Sequence, residues 1–125
     1  MTQNKSENVV VLGATPNSDR YAYKATIALN QKGHKVFPVG IKKGEINGHK
    51  ILPNFPSKTT TIDTITLYLN PERQKEYYET ILASGTKRII FNPGTENMEL
   101  ASLAKQKGII TEMACTLVML SVGTY

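Results

Sequence analysis

The fold of this chain is decided by the stretch Val9-Val10-Val11-Leu12-Gly13-Ala14-Thr15-Pro16. Its four consecutive apolar residues are typical of a parallel strand that is covered on both faces. The glycine predicts a sharp turn at the end of this strand. Because it has no side chain, it also lets the backbone approach a ligand closely. A helix that follows such a turn directs free N–H groups at anionic oxygens. The stretch therefore predicts a strand, a turn and a helix of an α/β fold, with a nucleotide-type ligand at the turn.

The glycine pattern of this turn is incomplete. A dinucleotide fingerprint of the form G-x-G-x-x-G needs three glycines, whereas here only Gly13 is present. No G-x-x-x-x-G-K-[S/T] motif occurs either, so ATP or GTP hydrolysis has no support. Gly13 alone is equally compatible with a turn that serves only packing.

Length and composition indicate one globular domain. The chain has 125 residues, of which 40% are hydrophobic and 20% are charged. We predict a single domain over residues 1–125, with a polar N-terminal tail in residues 1–7. The single cysteine excludes an internal disulfide and a cysteine zinc site. Because no apolar segment is long enough to cross a bilayer and no signal peptide is visible, we expect a cytoplasmic protein without a membrane partner.

The positive charge is concentrated in the half of the chain that contains the glycine turn. Residues 1–61 carry nine Lys and Arg against three acids, whereas residues 62–125 carry six against seven. Nucleic acid is not the expected partner, because no basic run is longer than Lys42-Lys43 and no helix has a basic stripe. The bias favours a small polyanionic ligand.

Strand and helix patterns alternate along the chain. This order predicts an α/β fold: a single Rossmann-like, doubly wound, mostly parallel sheet with helices on both faces. The predicted strands cover residues 9–12, 34–39, 62–69, 88–91 and 109–113, with a short edge strand at 50–52 inside a long connection over 40–61. The predicted helices lie between Ser18 and Gly33, between Asn70 and Ser84, and between Thr95 and Gly108.

Two helix starts carry local signals. Ser18 is a candidate N-cap with Asp19 in the first turn, and Tyr21 would then lie on the inward face. Asn70-Pro71 combines a capping side chain with proline at the first helical position, which predicts a helix start there.

A ligand of such a sheet binds outside the carboxyl ends of the strands, where the strand order reverses. Four segments are expected to converge there, at residues 13–15, 39–43, 69–71 and 92–95. A nicotinamide dinucleotide site needs an acid at the end of the second strand, whereas this chain has Lys42 and Lys43 there. Two lysines suit a ribose that carries a phosphate, as in coenzyme A or NADP.

These residues resemble a stand-alone CoA-binding domain, a small Rossmann-like family similar to the CoA-binding domain of the succinyl-CoA synthetase α-subunit. The resemblance covers roughly residues 8–115. It is carried by motifs that recur in this order: Gly13-Ala14-Thr15-Pro16, Arg20-Tyr21, Pro38-Val39, the loop 44–48 with Lys50-Ile51-Leu52-Pro53, Asp63, Asn92-Pro93-Gly94 and Cys115.

The resemblance implies a CoA site in which the Gly13 turn holds the diphosphate and residues 39–43 line the adenosine side. The candidate cofactor-binding residues are Gly13, Ala14, Thr15, Arg20, Tyr21, Val39, Gly40, Lys42, Lys43, Leu69, Asn70, Pro71, Asn92, Pro93 and Gly94. Two positions depart from the pattern, since many members have Asn-Pro where this chain has Gly40-Ile41 and Phe-Arg where it has Tyr68-Leu69. Arg73 is a candidate replacement for the missing arginine.

No residue pattern indicates catalysis or a metal site. His34 and His49 have no neighbouring acid to orient them and are interpreted as surface residues. Cys115 is interpreted as a small buried side chain rather than as a thiol that forms a mixed disulfide with CoA. Residues 115–125 are candidates either to cover the sheet edge or to form a homodimer contact.

Three functions remain open. The first is a CoA or acyl-CoA binding protein without catalytic residues of its own, and we expect a binding protein rather than an enzyme. The second is an NADP-binding oxidoreductase or redox sensor. The third is a regulatory or interaction subunit with a vestigial nucleotide pocket.

Overall fold

The computed structural model describes residues 6–125, in which strands alternate with helices. The strands are β1 (Asn8–Leu12), β2 (Lys35–Val39), β3 (Glu45–Ile46), β4 (His49–Lys50), β5 (Thr64–Leu67), β6 (Arg88–Phe91) and β7 (Ile110–Met113). The helices are α1 (Tyr21–Gln31), α2 (Pro71–Gln74), α3 (Tyr78–Ala83), α4 (Met98–Gln106) and α5 (Thr116–Val122), and a 3₁₀ turn, Lys75–Tyr77, joins α2 to α3. Within residues 6–125, no helix is both long and apolar enough to cross a membrane.

Five parallel strands form the central sheet, in the order β2-β1-β5-β6-β7. Leu12 is level with Val39 on one side and with Leu67 on the other, so the neighbouring strands end together. The chain leaves β1 toward β2 and then crosses back to β5, which reverses the strand order between β1 and β5. A doubly wound sheet opens a crevice at that point. The predicted fold class is confirmed.

Helices cover both faces of the sheet, which explains the continuous apolar run of β1. Val9 and Val11 pack on one face with Leu29 of α1 and Leu120 of α5. Val10 and Leu12 pack on the other face, in a cluster that includes residues of α3 and α4. Since α5 lies over a face, one of the two alternatives for residues 115–125, that they cover the sheet edge, is wrong.

The first helix begins later than the sequence predicts. Arg20 occupies the N-cap position, and Ser18 and Asp19 lie in the turn before it. Asn17 stabilises this turn, because its side-chain oxygen accepts the N–H of Asp19 and its backbone carbonyl accepts the N–H of Arg20. As a result Tyr21, which was expected on the inward face, is 69% exposed.

The connection between β2 and β5 contains more structure than a single edge strand. A short antiparallel hairpin pairs Glu45 with Lys50 and Ile46 with His49. Leu52 does not extend β4 but forms an isolated parallel bridge with Val39 of β2. The connection therefore pairs with β2 at its carboxyl end through Leu52, and the hairpin forms a separate small sheet.

Of the two later helix starts that the sequence predicts, the one at Asn70 is confirmed and the one at Thr95 is wrong. Asn70 caps α2 as predicted, with its side-chain oxygen accepting the N–H of Arg73 at 2.9 Å. The start predicted at Thr95 is wrong, because the Thr95 hydroxyl donates to the carbonyl of Asn92 at 2.8 Å and Asn97 caps α4 instead.

The amino-terminal end of the sheet holds a cluster of ionisable side chains. Of the predicted polar tail, residues 1–5 lie outside the described residues, whereas Glu7 contacts the domain through an ion pair with Arg88. Arg88 also pairs with Glu112 at 3.2 Å and lies over the ring of Tyr125. His34 is buried within this end, so its interpretation as a surface residue is wrong.

Burial of His34 predicts a loss of stability in mild acid. Its Nδ1 accepts the N–H of Glu7 at 3.0 Å, and burial lowers the pKa of the imidazole, with Glu7 opposing and Arg88 adding to the effect. As the pH falls, the imidazole of the unfolded chain therefore takes up a proton before that of the folded chain. The contribution of His34 to stability is fully present above about pH 6.5 and is lost as the pH drops below it. Urea unfolding should show a smaller loss between about pH 7.5 and about pH 5.5 for His34→Gln than for the wild type. Equal losses would contradict this role.

Candidate functional site

A cleft of about 640 Å³ opens at the carboxyl ends of the strands, between the loops that follow β1, β2, β5 and β6. This volume is in the range of small-molecule sites. The lining residues are Gly13, Ala14, Thr15, Asn17, Arg20, Tyr21, Ala22, Gly40, Ile41, Lys42, Tyr68, Leu69, Asn70, Arg73, Glu76, Tyr77, Pro93, Gly94 and Thr95. All four segments that the sequence predicts at this end contribute to it.

The turn after β1 is fixed by hydrogen bonds to β2. The N–H groups of Gly13 and Ala14 both donate to the carbonyl of Val39, at 2.8 and 3.0 Å. Gly13 has a φ of +99°, and a Cβ there would lie 3.0 Å from the carbonyl carbon of Tyr68. These two N–H groups are therefore used inside the fold, so the turn offers a ligand close backbone approach rather than two free donors.

The end of β2 approaches the same turn closely. A Cβ at Gly40 would lie 2.7 Å from the carbonyl oxygen of Ala14, which is shorter than any real contact of that kind. In this chain, backbone packing therefore requires glycine at position 40.

The amino terminus of α1 opens into the cleft. Arg20, Tyr21 and Ala22 line it, and the Arg20 side chain makes no capping hydrogen bond. The first turn of α1 contains no acid, so no side chain within that turn neutralises the partial positive charge of the helix end. The nearest acid along the chain, Asp19, lies in the exposed turn before the N-cap. Lys42 lines the cleft from the β2 side. This half of the cleft therefore favours an anionic ligand group.

The other half of the cleft, formed by the loops after β5 and β6, is less basic. Leu69, Pro93 and Gly94 contribute apolar and backbone surface there, with Arg73 and Glu76 of opposite charge beside them. The neighbouring Tyr77 also lines the wall, and desolvation raises the pKa of its phenol, a direction to which Glu76 adds and which Arg73 opposes. This half suits a largely uncharged ligand segment.

Tyr68 lies where β5 turns into the cleft. Its hydroxyl is buried and makes no hydrogen bond within residues 6–125. Desolvation raises its pKa to about 12, so the phenol stays protonated at neutral pH. Tyr68 packs against the core between the sheet and the helices α1 and α5.

Four predicted site residues do not line the cleft. Val39 is fully buried and contributes its carbonyl to the Gly13 turn, and Pro71 is the first residue of α2. Lys43 is exposed beyond the cleft wall. Asn92 is 2% exposed, and its carboxamide is bonded to β5 and α5 rather than directed at the cleft.

Two lining residues, Ile41 and Thr95, belong to the predicted segments 39–43 and 92–95 but were not named as contacts. Five more lie outside those segments: Asn17, Ala22, Tyr68, Glu76 and Tyr77. A signal existed for two of them, because Glu76 and Tyr77 follow Arg73 by three and four residues and so share its side of a helix that starts at Asn70. Cys115, by contrast, occupies the N-cap position of α5 and is not among the lining residues.

Comparisons with known proteins point to one family. A family model described as a CoA binding domain matches residues 7–121. A crystal structure described as that of an uncharacterized protein is 47% identical, with a TM-score of 0.92, over 98% of this chain and 100% of that chain. A hypothetical protein from Pyrococcus horikoshii OT3 is 26% identical, with a TM-score of 0.81, over 94% and 84% of the two chains. Among curated proteins, none matches this chain.

A more distant structure agrees in fold alone. The protein described as cell-free ID.343 from Thermus thermophilus is 20% identical, with a TM-score of 0.83, over 96% of this chain and 91% of that chain.

Proposed function

Since the family model spans residues 7–121, the chain belongs to the CoA binding domain family, and we propose that its cleft binds coenzyme A or an acyl-CoA. The observation that carries the proposal is the pairing of the uncapped amino terminus of α1 with Arg20 and Lys42 in one cleft. These groups fit a ligand with several phosphates. We assign ligand binding to the cleft, and no catalytic step.

The diphosphate is assigned to the start of α1. The first N–H groups of a helix have no partners within the helix, and the helix dipole favours negative charge beside them. The guanidinium of Arg20 adds charge-assisted hydrogen bonds to phosphate oxygens. The N–H groups of Gly13 and Ala14 already donate to the carbonyl of Val39. We therefore assign the hydrogen-bond donors to the phosphates to the start of α1 and to Arg20, and the Gly13 turn contributes space for the phosphates.

The 3′-phosphate of the adenosine is assigned to Lys42, with Lys43 as a second cation on the same loop. Lys42 lines the cleft and Lys43 is exposed next to it, so both long side chains lie on the β2 side of the diphosphate position. The pantetheine arm, which carries no charge, is assigned to the half of the cleft formed by Leu69, Tyr77 and Pro93.

A titration with four nucleotides tests the proposal. Isothermal titration of the reduced protein should show binding of CoA, weaker binding of dephospho-CoA, and little binding of NADP or NAD. In the double variant Lys42→Ala/Lys43→Ala we expect about a tenfold loss of CoA affinity, because a charge-assisted hydrogen bond to phosphate is removed. Dephospho-CoA should be affected less than about twofold, because it lacks that phosphate.

A charge-matched control separates a specific contact from the loss of net charge. Lys105→Ala/Lys107→Ala removes the same charge from exposed positions at the carboxyl end of α4, and it should leave both affinities unchanged. Preference for NADP over CoA would favour an NADP-binding oxidoreductase or redox sensor instead. Failure of all four nucleotides to bind, together with a stable protein partner in a pull-down, would favour a regulatory subunit.

A further inference from the structure

Gln74 is a fully buried carboxamide between the two loops that form the second half of the cleft. Its Nε2 donates to the carbonyl of Leu69 and to the carbonyl of Thr95, both at 2.8 Å, and its side chain is 0% exposed. Leu69 and Thr95 each line the cleft, one after β5 and one after β6. One side chain thus ties together two loops that are 26 residues apart in sequence.

The orientation of this carboxamide is fixed by its third contact. The Oε1 of Gln74 accepts a hydrogen bond from the Nδ2 of Asn97 at 2.9 Å. If the nitrogen and oxygen of the Gln74 carboxamide changed places, the oxygen would face two carbonyl oxygens. Asn97 also caps α4 and donates to the hydroxyl of Tyr78 at 2.8 Å, which in turn donates to Glu99. Every polar atom of Gln74 is therefore occupied, and the loops are linked to both flanking helices.

We infer that Gln74 is a positioning residue, which holds the loops after β5 and β6 at a fixed separation and so preforms the channel for the uncharged arm of the ligand. Its polar side chain gives no packing advantage over an apolar one of the same size, since burying a carboxamide is favourable only when its hydrogen bonds are made. Its partners are the carbonyls of cleft loops, so what it stabilises is the width of the cleft. The assignment of this half to the pantetheine arm rests on the proposed function.

The test compares two ligands that share the phosphates but differ in the arm. Gln74→Met keeps the size of the side chain and removes both donors. We expect it to weaken the binding of CoA by about tenfold, which corresponds to roughly one buried hydrogen bond. The binding of adenosine 3′-phosphate 5′-diphosphate, which has all the phosphates of CoA and no arm, should weaken by less than about twofold. The control Thr86→Val removes a buried hydroxyl that donates to the Arg88 carbonyl at the opposite end of β6. It should leave the affinity for both ligands unchanged.

A second measurement does not depend on the ligand. Hydrogen exchange of the ligand-free protein should be faster in residues 69–73 and 93–97 of Gln74→Met than in Thr86→Val at equal global stability. Where the methionine variant does not fold, Gln74→Glu replaces it, and its protonated form can hold only one of the two carbonyls.

Equal losses for the two ligands, or unchanged exchange of the two loops, would overturn the positioning role. A wild-type protein that binds neither ligand would overturn the proposed function, and the exchange measurement alone would then decide the role of Gln74.

Discussion

Replacing Asn92 by leucine should lower the free energy of unfolding by about 3–5 kcal/mol, because it removes three buried hydrogen bonds. The Asn92 Nδ2 donates to the hydroxyl of Thr66 at 2.6 Å and to the carbonyl of Leu67 at 2.8 Å. Its Oδ1 accepts the N–H of Thr116 at 2.8 Å. Leucine has a similar volume, so the loss arises from unmade hydrogen bonds rather than from a cavity. Urea unfolding monitored by circular dichroism measures the change.

The control for this prediction is Asn54→Leu, at an exposed position in the connection between β4 and β5. It should change the free energy of unfolding by less than about 0.5 kcal/mol. If Asn92→Leu costs less than about 1 kcal/mol, the carboxamide does not hold β5, β6 and α5 together as described.

The same residue shows where sequence reasoning about the site ends. Asn92 follows a buried strand, and polar residues at such positions are good candidates for ligand contacts. Its partners Leu67 and Thr116 lie 25 and 24 residues away, and only the arrangement of the whole sheet with α5 brings them within bonding distance. Gln74 was not predicted for the same reason, since no local pattern indicates that a side chain on α2 will bridge two loops.

The parts predicted well depend on local or topological rules. Strand β6 matches the prediction residue for residue, Arg88–Phe91, because a short apolar run bounded by polar residues has few alternatives. Asn70 caps its helix as expected, because the proline after it has a φ already suited to the first helical position and lacks an N–H that would have no partner there. The cleft lies at the carboxyl ends of the strands because parallel order requires it.

The start of α1 was misplaced because several good capping residues follow one another. Asn17, Ser18 and Asp19 can each form a turn or cap a helix, and the choice depends on which hydrogen bonds the neighbouring backbone can make. In the structure Asn17 forms the turn, which leaves Arg20 at the N-cap without a side-chain cap of its own. The misplacement is therefore linked to the site, since a capping serine would have occupied a donor that we assign to phosphate.

Replacing Gly40 by alanine should weaken CoA binding by about 30-fold or more, because the added methyl group displaces backbone rather than a movable side chain. The Cβ would lie 2.7 Å from the Ala14 carbonyl oxygen and 3.2 Å from its nitrogen. The turn after β1 must move away from β2, which stretches the hydrogen bonds from Gly13 and Ala14 to Val39. The start of α1 follows that turn, so the proposed phosphate donors move with it. Titration with CoA measures the loss.

The control Gly108→Ala separates this effect from general destabilisation. Its φ is +79° and the methyl group would meet open space, so the variant should lose about 1 kcal/mol of stability through backbone strain alone. Gly108 lies after α4, outside the cleft lining, and CoA affinity should remain as in the wild type. If Gly40→Ala binds CoA like Gly108→Ala, the fixed contact between the end of β2 and the Gly13 turn does not set the geometry of the phosphate position. The proposed arrangement of the ligand would then have to be abandoned, whereas the assignment of the chain to its family would stand.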